Sequence, residues 1–473
     1  MLDHRVRREV PVSAVPPIPR RVELGAVTVL VGHVLDVLAD VPDASVHSIV
    51  TSPPYWGLRD YGCAPIDWPA VEYSPIWYLP PVRVEAMRCA LGLEPDVVSF
   101  IAHMVLVFRG LRRVLRDDGT CWVNLGSSYA TGTQADRKPS MTPADARDGR
   151  PSHKPAGWTN RCQSTRRSPE GLAAKQLVHT PSLLALALQA DGWIWRSEVI
   201  WQKPNPMPEA VTDRPTVSHE QVFLFAKSPK YFFDAPAISE AIEHPDAATP
   251  EDMARAFSRR RATTVEPRQG DVEVKLYRSG NKKAVTGNER GRPGDHRQAS
   301  IPWTDTTGRR NARSVWKIAT APFKGAHFAT FPPELARRCI VAGTSARGAC
   351  AACGAPWERV TSKQSVGPVW NQRGARTGAH KVGDLEEGRG KFAERYCVRI
   401  DTTGWKPSCG CVGAAVVPCT VLDPFGGSGT TGAVAKTHGR VAVLCEAQPE
   451  YLPLIARRIA EAPGYQPALG GLR

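Results

Sequence analysis

The segment that most constrains the fold is "TVLDPFGGSGTTGAVAKTHGRVAVLCE", residues 420–446. Its apolar start predicts a strand that ends at Asp423, followed by a glycine-rich turn, a helix that opens with two threonines, and a second strand that ends at Glu446. Strand, turn, helix and strand in this order form the βαβ unit of a doubly wound α/β fold, which binds ligands at the carboxyl ends of its strands. Residues 27–32 and 46–50 have the apolar character of further buried strands.

The glycine-rich turn also indicates the kind of ligand. A Walker-type phosphate loop requires Lys followed by Ser or Thr, and a dinucleotide fingerprint requires the spacing G-x-G-x-x-G; this turn has neither. Glycines 426, 427 and 429 allow the backbone to approach a bound molecule closely. Glu446, at the next strand end, is placed to accept hydrogen bonds from ribose hydroxyls. A tight turn without a ligand remains the alternative.

A second turn, "TSPPYW" at residues 51–56, follows the apolar run 46–50. Its two prolines fix φ and stiffen the chain next to a serine hydroxyl and an aromatic ring. Alone, this stretch would also suit an ordinary turn that closes a strand.

Together, "TSPPYW" and "DPFGGSGTT" resemble the paired motifs of the S-adenosylmethionine-dependent DNA amino-methyltransferases, which modify N4 of cytosine or N6 of adenine. The tetrapeptide comes first and the cofactor turn last, an order similar to that of the circularly permuted beta subgroup. The resemblance implies a doubly wound, mostly parallel, seven-stranded Rossmann-like sheet, with S-adenosylmethionine as cofactor and double-stranded DNA as substrate. The strands that precede the two motifs should lie side by side, so that both turns open into one crevice.

The resemblance implies roles for the second turn. Ser52 Oγ and the carbonyl of Pro53 would accept hydrogen bonds from the amine protons and localise the nitrogen lone pair, while Pro53 and Pro54 hold these acceptors in place. Tyr55 would stack on a base extruded from the duplex, and Trp56 would extend that wall. Serine at the first position favours cytosine N4 over adenine N6, where Asp or Asn is more frequent.

The resemblance also implies a cofactor-binding set. The segment "HFATFPPELARRCI", residues 327–340, is similar to the family segment that covers the methionine end of the cofactor. For His327 itself, an ordinary helix start is the alternative. The expected cofactor-binding residues are Asp423, Pro424, Phe425, Gly426, Gly427, Ser428, Gly429, Thr430, Thr431, Glu446, His327, Phe331 and Pro332. The stretch 201–215 also resembles a family segment and is expected along the DNA cleft, with no role assigned to Lys203.

Four of the twelve cysteines form two close pairs. Cys350 and Cys353 stand as C-x-x-C followed by glycine, and Cys409 and Cys411 stand as C-x-C. Such pairs predict a closed, structural zinc site, with free thiols as the alternative.

Charge and composition predict the partners. The net charge of +15 and the pI near 9.4 favour a polyanionic partner, although a solvated basic surface would give the same numbers. The predicted organisation is a flexible basic and proline-rich arm (1–22), a catalytic half (23–234) with an insertion (130–175), a basic target-recognition region (235–314), a cofactor-binding half (315–345 and 413–464), a Cys-rich zinc-ribbon-like insertion (346–412) and a tail (465–473). Without a signal peptide or membrane segment, we expect a cytoplasmic protein, with a cognate restriction endonuclease as a possible partner.

Two other classes of function stay open. The same fold could methylate RNA or a protein side-chain amide, and a nucleic-acid-binding protein could retain an inactive site. Binding of S-adenosylmethionine would distinguish the last of these from an enzyme.

Overall fold

The computed structural model describes residues 19–57, 62–130, 171–241, 309–321, 331–366 and 397–465. Several predicted features lie wholly or largely outside these residues: the arm, the first insertion, the basic region, His327, the middle of the Cys-rich insertion and the tail. The chain divides into two compact units. The first comprises Met1–Ile238, Arg313–Arg359 and Trp405–Arg473, and the second comprises Ser239–Ala312 and Val360–Gly404.

In chain order the strands are β1 (Arg21–Leu24), β2 (Val27–Val31), β3 (Val46–Thr51), β4 (Ile66–Trp68), β5 (Val71–Tyr73), β6 (Val82–Val84), β7 (Met87–Cys89), β8 (Leu115–Leu125), β9 (Ile194–Gln202), β10 (His219–Ala226), β11 (Glu240–Ala241), β12 (Arg309–Arg310), β13 (Val315–Lys317), β14 (Ala349–Cys350), β15 (Trp357–Val366), β16 (Cys397–Pro407), β17 (Val416–Val417), β18 (Thr420–Asp423) and β19 (Val441–Glu446). The helices of the described residues are α1 (Val34–Val37), α2 (Val97–Val114), α3 (Thr180–Ala190), α4 (Pro333–Gly343), α5 (Thr430–Thr437) and α6 (Leu452–Glu461).

A nine-stranded sheet forms the core of the first unit, in the order β1-β2-β19-β18-β3-β8-β10-β9-β13. The five strands from β2 to β8 are parallel, β10 runs antiparallel to both of its neighbours, and β13 is parallel to β9. The prediction of a mostly parallel α/β sheet is confirmed. The sheet has two strands more than the predicted seven, because β1 pairs antiparallel with β2 at one edge and β13 adds to the other.

The strand β3 lies at the centre of the sheet and is buried along its whole length. All six residues of β3 are buried, since β3 lies between two parallel neighbours, β18 and β8. In the register of β18 with β3, Val421 faces Ser48 and Leu422 faces Ile49. The predicted neighbourhood of these two strands is therefore confirmed.

Helix α2 lies within the predicted catalytic half of the chain and packs against α3 and β8. Asp96 caps its first turn, where its side chain accepts a 2.8 Å hydrogen bond from the backbone N–H of Ser99. Residues Phe100, Met104 and Phe108 on its inner face are completely buried. This long helix is thus a firmly anchored element beside the sheet.

Two small sheets between the "TSPPYW" turn and α2 were absent from the sequence prediction. They pair β4 with β7 and β5 with β6, both antiparallel. Each strand has only three residues, too short to show a hydrophobic period. The described part of the second unit contains β11 paired with β12, and most of β15 and β16, which form a separate two-stranded sheet.

Candidate active site

The two sequence motifs meet at the carboxyl ends of neighbouring parallel strands. β3 ends at Thr51 and β18 ends at Asp423, and Thr51 Oγ1 donates a 2.7 Å hydrogen bond to Asp423 Oδ1. The two residues are 372 positions apart in the chain, so only the pairing of the strands brings them together. The "TSPPYW" turn and the glycine-rich turn therefore leave the sheet from adjacent points on one edge.

Asp423 connects these two turns. Its carboxylate is almost completely buried and also accepts hydrogen bonds from Thr431 Oγ1 (2.7 Å) and from the backbone N–H of Phe425 (3.1 Å). Burial raises the pKa of Asp423 to about 6, although the hydrogen bonds from Thr431 and Thr51 act in the opposite direction. The described contacts of this carboxylate hold the start of α5 and the end of β3 in place.

The glycines of the turn meet steric and conformational requirements. Gly429 precedes α5 with φ of 79°, in the left-handed region that favours glycine. A Cβ added at Gly426 would lie 3.1 Å from Leu444 Cβ, and the N–H of Gly426 donates to the carbonyl of Cys445 at 2.8 Å. The turn therefore folds back tightly over the end of β19.

Glu446 ends β19, beside β18. Its two carboxylate oxygens accept hydrogen bonds from the backbone N–H groups of Gly427 (2.7 Å) and Gln448 (2.8 Å). Burial raises the pKa of Glu446 to about 7. Because each carboxylate oxygen has two lone-pair directions, Glu446 retains the capacity to accept further donors. The turn and Glu446 thus have the chemistry to hold a ligand that offers hydroxyl donors.

A polar network surrounds the Ser-Pro-Pro-Tyr turn, and sequence reasoning missed most of it. Tyr55 Oη donates to Glu220 Oε2 at 2.6 Å, and Asn124 Nδ2 lies 2.9 Å from the same oxygen and 3.0 Å from Tyr55 Oη. Asn124 Nδ2 also lies 3.4 Å from Ser52 Oγ. Lys203 forms an ion pair with Glu220. The turn is thus tied to β8 through Asn124 and to β10 through Glu220.

These partners differ in how far the sequence alone could have predicted them. Asn124 lies in the apolar stretch that ends β8, residues 121–125, at the edge of the sheet where ligands bind, and this position was a usable signal. Glu220 lies near the beginning of β10, and it reaches the same edge only because β10 is antiparallel to β8. No local pattern predicts that reversal. Lys203 had been noted without a role.

The prediction for Trp56 is corrected. Its side chain is only 4% exposed, and the indole Nε1–H donates to the carbonyl of Glu94 at 3.1 Å. A ring packed in this way presents no open face to a base. Tyr55, the other aromatic residue of the turn, is half-buried.

The segment expected over the methionine end is described only from Phe331 onwards. Pro332 precedes α4 and is buried, and Phe331 is half-buried. A cavity of about 420 Å³ is lined by the start of α4, one side of α5 and the end of α6. Thr430 is the one predicted cofactor-binding residue among its lining residues, so we do not assign the cofactor to this cavity.

The structure brings the four predicted zinc ligands together. The sulfur atoms of Cys350, Cys353, Cys409 and Cys411 all lie within 4.8 Å of one another. Hydrogen bonds from the backbone N–H groups of Cys353 and Ala352 lower the pKa of Cys350 to about 7. Tetrahedral zinc with Zn–S bonds of about 2.3 Å places its sulfur ligands about 3.8 Å apart, which this cluster can accommodate.

Among the helices of the described residues, none combines the length and the apolar character needed to cross a membrane.

Comparisons with known proteins indicate the family. The family model N6_N4_Mtase, described as DNA methylase, matches residues 46–350 and 419–457. The Type II methyltransferase M.Cfr9I of Citrobacter freundii is 32% identical over 438 residues, which cover 92% of this chain and 89% of the relative. The Type II methyltransferase M.XycI of Xanthomonas campestris pv. cyanopsidis is 31% identical over 442 residues, covering 93% and 90%. Three of the four clustered cysteines lie between the two matched segments.

Among solved structures, the chain is similar to the PvuII DNA methyltransferase, described as cytosine-N4-specific. The sequence identity is 14%, the TM-score is 0.40, and the match covers 91% of this chain and 86% of the other. We infer no residue role from a similarity at this level.

Proposed function

Because this chain belongs to the N6_N4 family of DNA methylases, and is thus an S-adenosylmethionine-dependent DNA amino-methyltransferase, we propose that it methylates N4 of cytosine within a specific DNA sequence. The observation that carries this proposal is the Thr51–Asp423 hydrogen bond, which joins the serine-bearing turn to the glycine-rich turn. Ser52 at the first position of the tetrapeptide supports cytosine over adenine.

The proposed mechanism begins with the acceptor amine. Its lone pair is delocalised into the base, and hydrogen bonds from its protons to Ser52 Oγ and the Pro53 carbonyl would localise that pair on nitrogen. These acceptors need no reorganisation during the reaction, because Pro53 and Pro54 restrict the backbone. When bound, S-adenosylmethionine supplies an electrophilic methyl group on a sulfonium sulfur. The contribution of the chain is to hold the amine in line with that methyl group.

Tyr55 would receive the extruded base. The Tyr55–Glu220 hydrogen bond fixes the hydroxyl end of its ring. The edge of the ring lies against Gly126, where an added Cβ would be only 2.9 Å from Tyr55 Cε2. A ring held at two points loses little further freedom when a base stacks on it. The Lys203–Glu220 ion pair compensates the negative charge next to this ring.

The remaining assignments concern the partners. The basic region 235–314 would read the target sequence, with Arg and Lys reaching phosphates and base edges. The Type II names of the relatives support a cognate restriction endonuclease that recognises the same target. The four clustered cysteines would bind one structural zinc ion, which has no part in the chemistry.

The test is to digest DNA from cells that express the protein to nucleosides and to weigh these by mass spectrometry. We expect N4-methylcytosine, and the Ser52→Ala variant as the matched control should give much less of it. N6-methyladenine in its place would refute the choice of base but not the family. Unmodified DNA, together with methylation of RNA or protein, would refute DNA as the substrate.

A further inference from the structure

A buried acid–histidine pair lies behind the catalytic turn and has no part in the mechanism above. Glu94 Oε1 lies 3.0 Å from His103 Nδ1, and both side chains are completely buried. The imidazole stacks on the indole of Trp68, with the ring centroids 4.2 Å apart and an angle of 12° between the planes. Burying such groups away from water costs free energy, so the presence of this pair needs an explanation.

Glu94 is bonded to the residues that follow the catalytic tetrapeptide. Its Oε2 accepts a 2.8 Å hydrogen bond from the N–H of Gly92, and the carbonyl of Gly92 in turn accepts 2.8 Å from the N–H of Gly57. The backbone carbonyl of Glu94 accepts from the indole N–H of Trp56. One side chain thus organises a loop that reaches both Trp56 and Gly57.

The same loop lies directly against the tetrapeptide. Gly92 has φ of +90°, and a Cβ added there would lie 3.4 Å from Pro54 Cβ and 3.5 Å from the carbonyl oxygen of Tyr55. The backbone at Gly92 therefore supports residues 54 and 55 from behind. Glycine satisfies the positive φ at this position.

We propose that Glu94 and His103 are positioning residues, which fix the Ser-Pro-Pro-Tyr turn by anchoring residues 92–94 to helix α2. His103 lies in the second turn of α2, whose inner face is packed into the core. The carboxylate of Glu94 holds the His103 imidazole with one oxygen and the Gly92 N–H with the other. The acceptors of the turn are thus supported by the longest helix of the described residues.

Metal binding is a weaker interpretation of the same residues. The sulfur of Cys89 and ligand atoms of Glu94 and His103 lie within 4.8 Å of one another. Both oxygens of Glu94 already accept a hydrogen bond, and burial raises the pKa of Cys89 to about 12, which keeps that thiol protonated. The cluster is therefore better described as a hydrogen-bonded acid–histidine pair, in which His103 Nε2 is buried without a partner among the described residues.

The proposal rests on the proposed function only in taking Ser52–Tyr55 as the catalytic turn. The test compares Glu94→Ala and Glu94→Gln with the matched control Asp234→Asn. This control weakens the contact of another buried carboxylate, the ion pair of Asp234 with Arg359, outside the site. Single-turnover methylation, the Kd for S-adenosylmethionine and the urea midpoint are measured for each. Because a displacement of about 1 Å costs about 100-fold in rate, we expect Glu94→Ala to lose about 10- to 100-fold in the single-turnover rate.

The expected pattern separates positioning from loss of stability. Glu94→Gln should retain an intermediate rate, since its amide still offers Gly92 an acceptor, and cofactor Kd should change less than about twofold in all variants. Asp234→Asn should lose stability without losing rate. Should Glu94→Ala fail to fold, Gly92→Ala strains the backbone at its φ of +90°, next to Pro54 and Tyr55, without replacing either residue of the buried pair, and it should also be slow.

Three results would overturn the proposal. The first is a wild-type rate in Glu94→Ala or, if that variant does not fold, in Gly92→Ala. The others are an equal loss of rate in Asp234→Asn and a loss of cofactor affinity that parallels the loss of rate in Glu94→Ala. The proposed function is tested separately by Ser52→Ala. Full turnover of that variant would reject the catalytic turn itself, whereas a slow Ser52→Ala beside a normal Glu94→Ala would reject only the positioning role.

Discussion

Glu446 should make the affinity for S-adenosylmethionine depend on pH. Burial raises the pKa of this carboxyl group from an ordinary value of 4.5 to about 7. In the proposed role the ribose hydroxyls donate to Glu446, so the cofactor binds better to the ionised form. Affinity should therefore rise with pH, and binding near pH 6 should take place with loss of a proton from this group.

The magnitude follows from the pKa. A group with a pKa of about 7 is about one-tenth ionised at pH 6 and about nine-tenths ionised at pH 8, so apparent affinity should increase about tenfold over this range. The stability of the cofactor-free protein has the opposite sign. Because the folded-state pKa is raised, the contribution of Glu446 to the unfolding free energy is fully present below pH 4.5 and is lost as pH rises through 7, a change of about 3 kcal/mol.

The assay is isothermal titration calorimetry of S-adenosylmethionine at pH 6, 7 and 8, with wild type and Glu446→Gln. Glutamine keeps the size of the side chain and one acceptor oxygen but does not titrate. The amino group of the cofactor titrates equally in both experiments, so the difference between the two slopes belongs to Glu446. A tenfold slope that persists in Glu446→Gln, or a wild-type affinity independent of pH, would refute the reasoning.

Three further predictions address the other parts of the site. Ser52→Ala should slow single-turnover methylation by about 10²- to 10³-fold with nearly unchanged cofactor Kd, and wild-type turnover would contradict its role as an acceptor. Thr431→Val removes a donor to the buried Asp423 carboxylate and should lower the urea-derived unfolding free energy by about 1–3 kcal/mol, whereas the control Thr437→Val, on the same helix, should cost less. Chelator-washed protein should contain about one equivalent of zinc by mass spectrometry, and Cys353→Ser should lose both the metal and thermal stability; folded wild-type protein without metal would contradict the zinc site.

The sequence was most informative where a local pattern carries the structure. The apolar run 46–50 became β3, and the glycine-rich turn lies between β18 and α5. Within each cysteine pair, the short spacing needs only one turn of chain to present both sulfurs on the same side. These features depend on neighbouring residues, and hydrophobic periodicity and turn chemistry report them directly.

The sequence was least informative about the supporting contacts. Trp56 was expected to face a base but is packed against the Glu94 carbonyl, since an aromatic residue after a turn suits a core as well as a ligand. Glu220 is 165 residues from Tyr55, and the antiparallel course of β10 decides their contact. Nothing in the sequence indicated the Glu94–His103 contact either, because neither residue belongs to a motif.

The sequence by itself determined the class of fold, the two motifs and the family they indicate, since these depend on residue types at short, fixed spacings. Only the tertiary structure decided that Asp423 joins the two turns, that Glu220 and Asn124 hold Tyr55, and that Trp56 lies in the core. The contacts of Asp423, Glu220 and Asn124 require strands distant in the chain to pair in one register, and Trp56 packs on the loop that contains Glu94. That register is set by the packing of the whole sheet, which local sequence does not encode.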